Sequence, residues 1–185
     1  MIRFDEKRHL FNDGQVPSVT TILKEENWID TRFYSEDGRT RGEYVHKASA
    51  MLDAGMLDWQ SIDPDVVKYL VSYERAKLEL GIKRFAAIER IVHSGVLWAG
   101  IEDRSVKWKG HNCPLDLKTG AYEMWHKVQI AGYAECYRTR PPYCLMLYLT
   151  QEKYKLIELT VTEMEPYYVA WHSAVTSWWS KRTLK

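Results

Sequence analysis

Apolar and polar residues alternate with two different periods along this chain, and the changes of period divide it into helices and strands. Helical spacing predicts helices over residues 39–55 and 63–80. Between residues 83 and 118, short apolar runs separated by glycine turns predict a three-stranded antiparallel meander. The remaining predicted elements are a helix over 122–138, strands over 143–149 and 154–160, and a helix over 163–181. Together they predict an α/β fold in which helices flank a central mixed β-sheet.

Residues at the ends of two predicted helices support these boundaries. Ser18 is a candidate N-cap for a short helix within residues 16–23, because its hydroxyl can accept a hydrogen bond from an exposed backbone N–H. Asp63 and Pro64 are typical of a helix start, and Gly81 is typical of a helix end. We assign these segments a structural role.

Composition and hydropathy predict one globular domain rather than a membrane-spanning or secreted protein. The chain has 185 residues, of which 45% are hydrophobic, so we expect one domain, residues 1–185, with a real core. The net charge of +1 neither implies nor excludes a nucleic-acid partner, because a local cleft can be basic while the whole protein is neutral. No apolar run approaches the roughly 18 residues of a membrane span, and the N-terminus lacks the apolar centre of a signal peptide. These features predict a cytoplasmic protein without a membrane partner.

An acidic residue and a lysine stand two positions apart in the apolar stretch of residues 114–120. On a strand, Asp116 and Lys118 would project from one face, while Leu115 and Leu117 would point into a core. One interpretation is an exposed ion pair, worth roughly 0–1 kcal/mol, and the tripeptide alone favours it. The other is a carboxylate that holds a metal beside a cation that stabilises negative charge.

A histidine lies in the first long helix beside a glycine. Gly42 costs about 1 kcal/mol relative to alanine inside a helix, and it lies four residues before His46 on the same face. A glycine there leaves room for a group to approach the imidazole. The alternative is a partly buried structural histidine. The apolar stripe of this helix comprises Tyr44, Val45, Ala48, Met51 and Leu52.

Further candidate residues lie on the meander and on the helix that follows it. Glu89 and Asp103 fall on its first two strands, and the second strand is expected to end at Asp103. Adjacent antiparallel strands bring opposed residues within about 5–8 Å, so three carboxylates and a lysine can converge at one end of the sheet. Clustered carboxylates repel each other unless a divalent cation such as Mg²⁺ or Mn²⁺ joins them. Trp125, Gln129 and Tyr133 share a face of the next helix. Packing accounts for Trp125, whereas the amide of Gln129 needs a hydrogen-bond partner.

Taken together, these pieces resemble a known family. The matching segments are Gly42-x-x-x-His46, Glu89, Gly100-Ile101-Glu102-Asp103, Asp116-Leu117-Lys118-Thr119-Gly120 and Gln129-x-x-x-Tyr133. In this order and on these elements they are similar to the PD-(D/E)XK nuclease superfamily, in its RecB-type and phage recombination exonuclease branch. The resemblance implies a restriction-endonuclease-like core.

The resemblance also implies roles for individual residues. The implied ligands of Mg²⁺ or Mn²⁺ are the side chains of His46, Asp103 and Asp116, the backbone carbonyl of Leu117 and, directly or through another ligand, Glu89. Lys118 would orient the attacking water and stabilise charge on the phosphate. Gln129 and Tyr133 would contact the scissile phosphate or hold Lys118 in place. Glu102 should face away from this group.

The activity implied by the resemblance is metal-dependent DNA exonuclease activity in phage or prophage recombination. The product would carry a 5′-phosphate, and the protein would act in the cytoplasm of a bacterial host. Family analogy adds a single-strand annealing protein and a homo-oligomer around DNA as expected partners. Some relatives carry an iron–sulfur cluster, but the spacing of Cys113, Cys136 and Cys144 does not match it, so we predict no cluster and three free thiols.

Two questions stay open at this stage. The candidate DNA-contacting residues are Arg41, Lys47, Arg104, Lys107, Trp108 and Lys109. The hairpin that carries most of them could track a phosphate backbone, or it could be a solvated hairpin with a packed tryptophan.

The sequence also leaves alternative functions open. They are a structure-specific endonuclease of the same fold and a non-catalytic nucleic-acid-binding or assembly module. A zinc protein would have to use histidines that show no recognisable ligand spacing.

Overall fold

The chain begins with a small antiparallel sheet. The structure is a computed structural model, and it describes residues 2–5, 8–11, 14–30, 32 and 34–184. The strands β1 (Ile2–Asp5), β2 (Arg8–Phe11) and β3 (Gly14–Val16) pair in that order. The sequence pattern did not predict this sheet, because three or four residues are too few to establish a period of two.

Within the described residues, five α-helices lie at or near the predicted positions. They are α1 (Val19–Glu25), α2 (Glu36–Asp53), α3 (Pro64–Leu80), α4 (Trp125–Ala134) and α5 (Val161–Thr183). Ser18 caps α1 by accepting the N–H of Thr21 at 2.9 Å. Asp63 caps α3, which ends at Gly81 with a φ of 68°. These boundary predictions are confirmed, whereas α2 begins three residues earlier than predicted because Ser35 caps it.

A five-stranded mixed sheet forms the centre of the fold. Its strands are β4 (Phe85–His93), β5 (Ala99–Trp108), β6 (His111–Lys118), β7 (Tyr143–Leu149) and β8 (Tyr154–Thr160), hydrogen-bonded in that order. All pairs are antiparallel except β6 and β7, which run parallel and are connected through α4. The prediction that the second strand ends at Asp103 is wrong. β5 continues to Trp108 and pairs with β6 from Arg104 onward, so Asp103 lies in mid-strand.

Two hydrophobic clusters lie on opposite faces of this sheet. Helices α2 and α3 cover one face, and α1, α4 and α5 cover the other. The inner strand β7 supplies both clusters, with Cys144 and Met146 on one side and Leu145 and Leu147 on the other. A strand buried on both faces reads as a continuous apolar run, which is why the sequence located β7 accurately.

The predicted apolar stripe of α2 is only partly buried. Val45 and Ala48 lie in the core, but Tyr44 and Met51 are exposed. The prediction for these two residues is wrong, because α2 buries a narrow strip against α3 and the sheet. Among the helices of the described residues, none is both long enough and apolar enough to cross a membrane.

Candidate active site

The end of β6 carries the first part of the site. Leu115 and Leu117 are fully buried, and Asp116 and Lys118 alternate with them, as the strand period predicts. The Lys118 Nζ atom lies 2.6 Å from Asp116 Oδ2. Asp116 is only 3% exposed, so the interpretation as an exposed surface ion pair is wrong. A buried carboxylate and a largely buried ammonium are costly to desolvate, so a gain in folding stability does not account for the presence of this ion pair.

Asp103 links α2 to β6. Its Oδ1 atom lies 3.3 Å from Nδ1 of His46, and its Oδ2 accepts the backbone N–H of Leu117 at 2.8 Å. Arg104 pairs with Leu115 at one end of the antiparallel β5–β6 ladder. Asp103 precedes Arg104 and Asp116 follows Leu115, so the two carboxylates occupy neighbouring positions just beyond that pair. The structure therefore brings His46, Asp103, Asp116 and Lys118 together from three elements.

Gly42 explains how α2 comes so close to the end of β6. A Cβ atom at this position would lie 3.1 Å from Oγ1 of Thr119, the residue after Lys118. The sequence predicted that Gly42 leaves room beside His46. In the structure Thr119 fills that room, so the glycine allows the helix to pack against the strand end.

A hydrogen-bonded chain continues from Lys118 onto α4. Gln129 accepts from Lys118 Nζ at 2.8 Å through Oε1, and its Nε2 donates to the Tyr133 hydroxyl at 3.1 Å. This accounts for an amide in an apolar helix stripe. The Tyr133 ring packs on Gly100, where an added Cβ would lie 2.6 Å from Cε1. We call His46, Asp103, Asp116, Lys118, Gln129 and Tyr133 the acid–lysine site.

Burial and neighbouring charges shift the two carboxyl groups in opposite directions. Burial raises the pKa of Asp103, but His46, Lys118 and the Leu117 N–H outweigh it and lower the pKa to about 2. For Asp116, burial and the charge of Asp103 outweigh Lys118 and raise the pKa to about 6. Burial lowers the pKa of His46, yet the Asp103 carboxylate raises it overall. Carboxyl groups with separated pKa values are characteristic of catalytic sites.

Glu89 lies next to this site but is bound elsewhere. It adopts a φ of 48° in β4, and its Oε1 accepts from Arg104 Nη1 at 3.1 Å. Burial and the charge of Asp103 raise the pKa of Glu89, so the Glu89 carboxyl group interacts electrostatically with the site. Glu102 faces away, as predicted, because it pairs with Arg90 and Tyr137.

Arg104 does not lie at a DNA-binding surface. Its side chain has no exposed area, and its Nε lies 2.6 Å from Asp53 Oδ2. Tyr73 and Lys77 donate to the same carboxylate at 2.6 and 2.7 Å. The prediction that Arg104 contacts DNA is therefore wrong. The sequence could not reveal this network, because Asp53 lies on another element and 51 residues away.

The hairpin after β5 favours the structural alternative left open above. The Trp108 Nε1 donates to Glu158 Oε2 at 2.6 Å, and Lys109 Nζ lies 2.6 Å from Oε1 of the same residue. Trp108 packs against the core rather than standing exposed. At about 3.3 Å per residue, the hairpin lies roughly 20 Å from the Lys118 end of β6. Lys107 is exposed and remains a predicted contact.

The two basic residues beside His46 differ in exposure. Arg41 is half-buried, with its guanidinium 5.8 Å from the centre of the Tyr69 ring. Lys47 is exposed on α2 and is the more accessible of the two. Both remain predictions as DNA contacts.

The donor set suits a divalent cation in its chemistry but is not arranged as a ready ligand shell. Across the part of the chain that the structure describes, no group of three or more His, Cys, Asp or Glu side chains is placed to hold a metal ion. Asp103 turns toward His46 and Asp116 toward Lys118. Carboxylate oxygens are ligands that Mg²⁺ and Mn²⁺ accept, and an adjacent imidazole favours Mn²⁺.

Two aromatic residues near Lys118 were missed as functional candidates. Lys118 Nζ lies 5.4 Å from the Trp125 ring centre, and Trp125 Nε1 donates to the Tyr34 hydroxyl at 3.2 Å. The sequence assigned Trp125 to packing. Its spacing of four residues from Gln129 was the available signal, whereas Tyr34 lies in a connection and has no such signal.

Comparisons with known proteins do not assign the chain to a family. No family model and no curated protein matches it. The crystal structure of SSO0001 is 14% identical, with a TM-score of 0.39, and the match covers 90% of this chain and 84% of that one. The crystal structure of LHK-Exo in complex with dAMP is 10% identical, with a TM-score of 0.40, and the match covers 91% and 93%. Likeness at this level carries no argument about function, which depends on the geometry of the acid–lysine site.

Proposed function

We propose that this protein is a metal-dependent deoxyribonuclease that hydrolyses phosphodiester bonds, with a restriction-endonuclease-like core. One observation carries the proposal: a lysine and two carboxylates with opposite pKa shifts are buried together, with an imidazole at 3.3 Å from one of them. Such a group is expensive to desolvate and has a clear use in phosphoryl chemistry.

A divalent cation would be held by His46, Asp103, Asp116 and the carbonyl of Leu117, with Glu89 alongside. When bound, it would lower the pKa of a water molecule and polarise a phosphate oxygen. The raised pKa of the Asp116 carboxyl group supports this assignment, because burial and the charge of Asp103 disfavour its ionised form and a bound cation would offset both.

The roles of the remaining residues follow from their contacts. Lys118 would stabilise negative charge on the phosphate and orient the attacking water, since its ammonium is held between Asp116 and Gln129. Gln129 positions Lys118 through Oε1, and Tyr133 fixes the amide by accepting from Nε2. Preorganised groups of this kind contribute to catalysis because they need no rearrangement during the reaction.

The finer assignment is an exonuclease of phage or prophage recombination. It rests on the resemblance of the motifs to the RecB-type and phage exonuclease branch. An annealing-protein partner and a homo-oligomer belong to the same proposal.

Cleavage assays on linear and on covalently closed circular DNA test the activity. We expect degradation of linear DNA with Mg²⁺ or Mn²⁺, no degradation with EDTA, and an intact circle. Nicking of the circle would instead identify an endonuclease. Binding without cleavage under every metal condition would identify a non-catalytic module and contradict the proposal.

Replacing Lys118 tests its assigned role. Lys118→Met keeps the apolar stem and removes the charge, so we expect cleavage to fall by about 10²–10³-fold, the usual cost of losing one charge-stabilising donor. The matched control is Lys155→Met, which removes an exposed lysine from β8 of the same sheet. Circular dichroism should show both variants folded. A folded Lys118→Met protein that cuts at the parent rate would contradict the assignment.

A further inference from the structure

Several large side chains stand exposed around the Lys118 end of the acid–lysine site. We call Tyr34, Tyr122 and Trp125 the aromatic rim, and Met124 lies beside it, 3.8 Å from the Tyr122 hydroxyl through its sulfur. Tyr34, Tyr122 and Met124 are 41%, 45% and 53% exposed, and Trp125 is half-buried. Tyr122 and Met124 lie in the segment that directly follows Lys118. Large apolar groups that are exposed together beside a polar site indicate a binding surface.

Hydrogen bonds hold part of the rim in place. The Tyr34 hydroxyl donates to Glu123 Oε1 at 2.7 Å, and Trp125 Nε1 donates to Glu123 Oε2 at 2.9 Å and to the Tyr34 hydroxyl at 3.2 Å. Both oxygens of Glu123 therefore accept a hydrogen bond from a rim residue. Rings fixed in this way lose little conformational entropy when a ligand stacks on them.

Cations lie beside the faces of these rings. Lys118 Nζ is 5.4 Å from the Trp125 ring centre, and Lys127 Nζ is 5.5 Å from the Tyr122 ring centre. Lys127 also donates to the Tyr167 hydroxyl at 3.0 Å, which raises its pKa and keeps it charged. Aromatic rings with adjacent positive charges suit a nucleic-acid strand whose bases stack on rings while its phosphates contact cations.

We propose that the aromatic rim binds the bases of an unpaired DNA strand and thereby selects single-stranded ends for the acid–lysine site. This inference rests on the proposed function, because it requires a phosphodiester to reach Lys118. In a duplex, neighbouring base pairs cover the base faces, and exposing them costs unstacking energy. An unpaired strand presents these faces at no such cost, so the rim favours it.

Binding measurements in EDTA separate stacking from cleavage. The probes are a mixed-sequence single strand and an abasic strand of equal length, measured by fluorescence anisotropy. We expect Tyr122→Leu and Tyr34→Leu each to weaken binding of the base-containing strand by about tenfold, as loss of one stacking platform does. Neither change should affect the abasic strand. Tyr122→Phe keeps the ring and should bind normally, and so should Trp59→Leu, an exposed aromatic control on the short 3₁₀-helix between α2 and α3.

The outcomes distinguish the two proposals. Equal weakening for both strands, or no weakening for either, would overturn the stacking role. If the base-specific loss is seen in a protein that cleaves no DNA with either metal, the nuclease proposal fails and the rim remains a strand-binding surface. If DNA is cleaved and no base-specific loss is seen, the rim inference fails alone.

Discussion

Arg104 is a charged residue whose side chain is completely buried, so its partners must compensate for the cost of desolvating the guanidinium. Its guanidinium contacts Asp53 on α2, Glu89 on β4 and Ser49 at 3.1 Å. Lys77 on α3 shares the Asp53 carboxylate. The network joins two helices to two strands, so each charge is balanced only when all of these elements are in place.

We expect Asp53→Asn to lower the free energy of unfolding by about 3 kcal/mol, because the change leaves a buried guanidinium without its closest anion. Urea denaturation at neutral pH measures this. The control is Arg75→Gln, which removes the exposed Arg75–Glu79 pair and should cost less than about 1 kcal/mol. Similar small losses for both variants would show that the network contributes little.

At the scale of elements, the packing of α2 on the end of β6 determines the geometry of the site. The contact of Gly42 with Thr119 holds His46 on the helix near Asp103 on the sheet. Alanine would be favoured by about 1 kcal/mol at a helical position, so the glycine serves the close approach of helix and strand and costs helix stability.

Gly42→Ala should therefore leave the stability nearly unchanged or slightly higher while it impairs the site. We expect cleavage to fall by at least about tenfold, because small displacements of catalytic groups have large effects on rate. Thr119→Ala removes the Oγ1 atom that the new Cβ would contact. In that background, adding Gly42→Ala should therefore lower the cleavage rate much less than it does in the parent protein.

Glu43→Ala, an exposed change on the same helix, is the control for α2 itself. An equal loss from Gly42→Ala in both backgrounds would mean that another contact positions α2.

At the scale of the whole molecule, one buried histidine makes the stability depend on pH. His126 Nδ1 accepts the N–H of Glu123 at 3.3 Å and lies 2.8 Å from the Tyr148 hydroxyl, so Nδ1 carries no proton and the ring is neutral. Burial and the charge of Lys118 lower its pKa to about 3. The unfolded chain takes up this proton near pH 6.5, so the stability is complete above that pH and is lost as the pH falls toward 3.

We expect the parent protein to lose about 2 kcal/mol through His126 between pH 7.5 and pH 5, at 1.36 kcal/mol per pH unit below 6.5. His126→Asn keeps an acceptor near the Nδ1 position and does not titrate. Urea unfolding of both proteins at each pH isolates the effect, because Asp116, whose raised pKa acts in the opposite sense, is common to both. A parallel pH dependence of the two proteins would contradict a neutral buried His126.

Much of the fold was readable from the sequence because it depends on neighbouring residues. The alternation of Leu115, Asp116, Leu117 and Lys118 located β6 and its two faces, and the caps of α1 and α3 located their starts. The predicted meeting of His46 with the residues of β5 and β6 also agrees with the structure, although their roles remain proposals.

The tertiary structure alone decided which distant groups meet and which are buried. The sequence suggests that Arg104 is exposed, but the structure pairs it with Asp53 in the interior. The sequence suggests that Trp125 only packs, but the structure places Lys118 and Tyr34 beside its ring. Sequence periodicity reports the face on which a side chain lies, because that follows from local backbone geometry. It does not report which other element covers that face, because contacts between distant residues form only when the layers assemble.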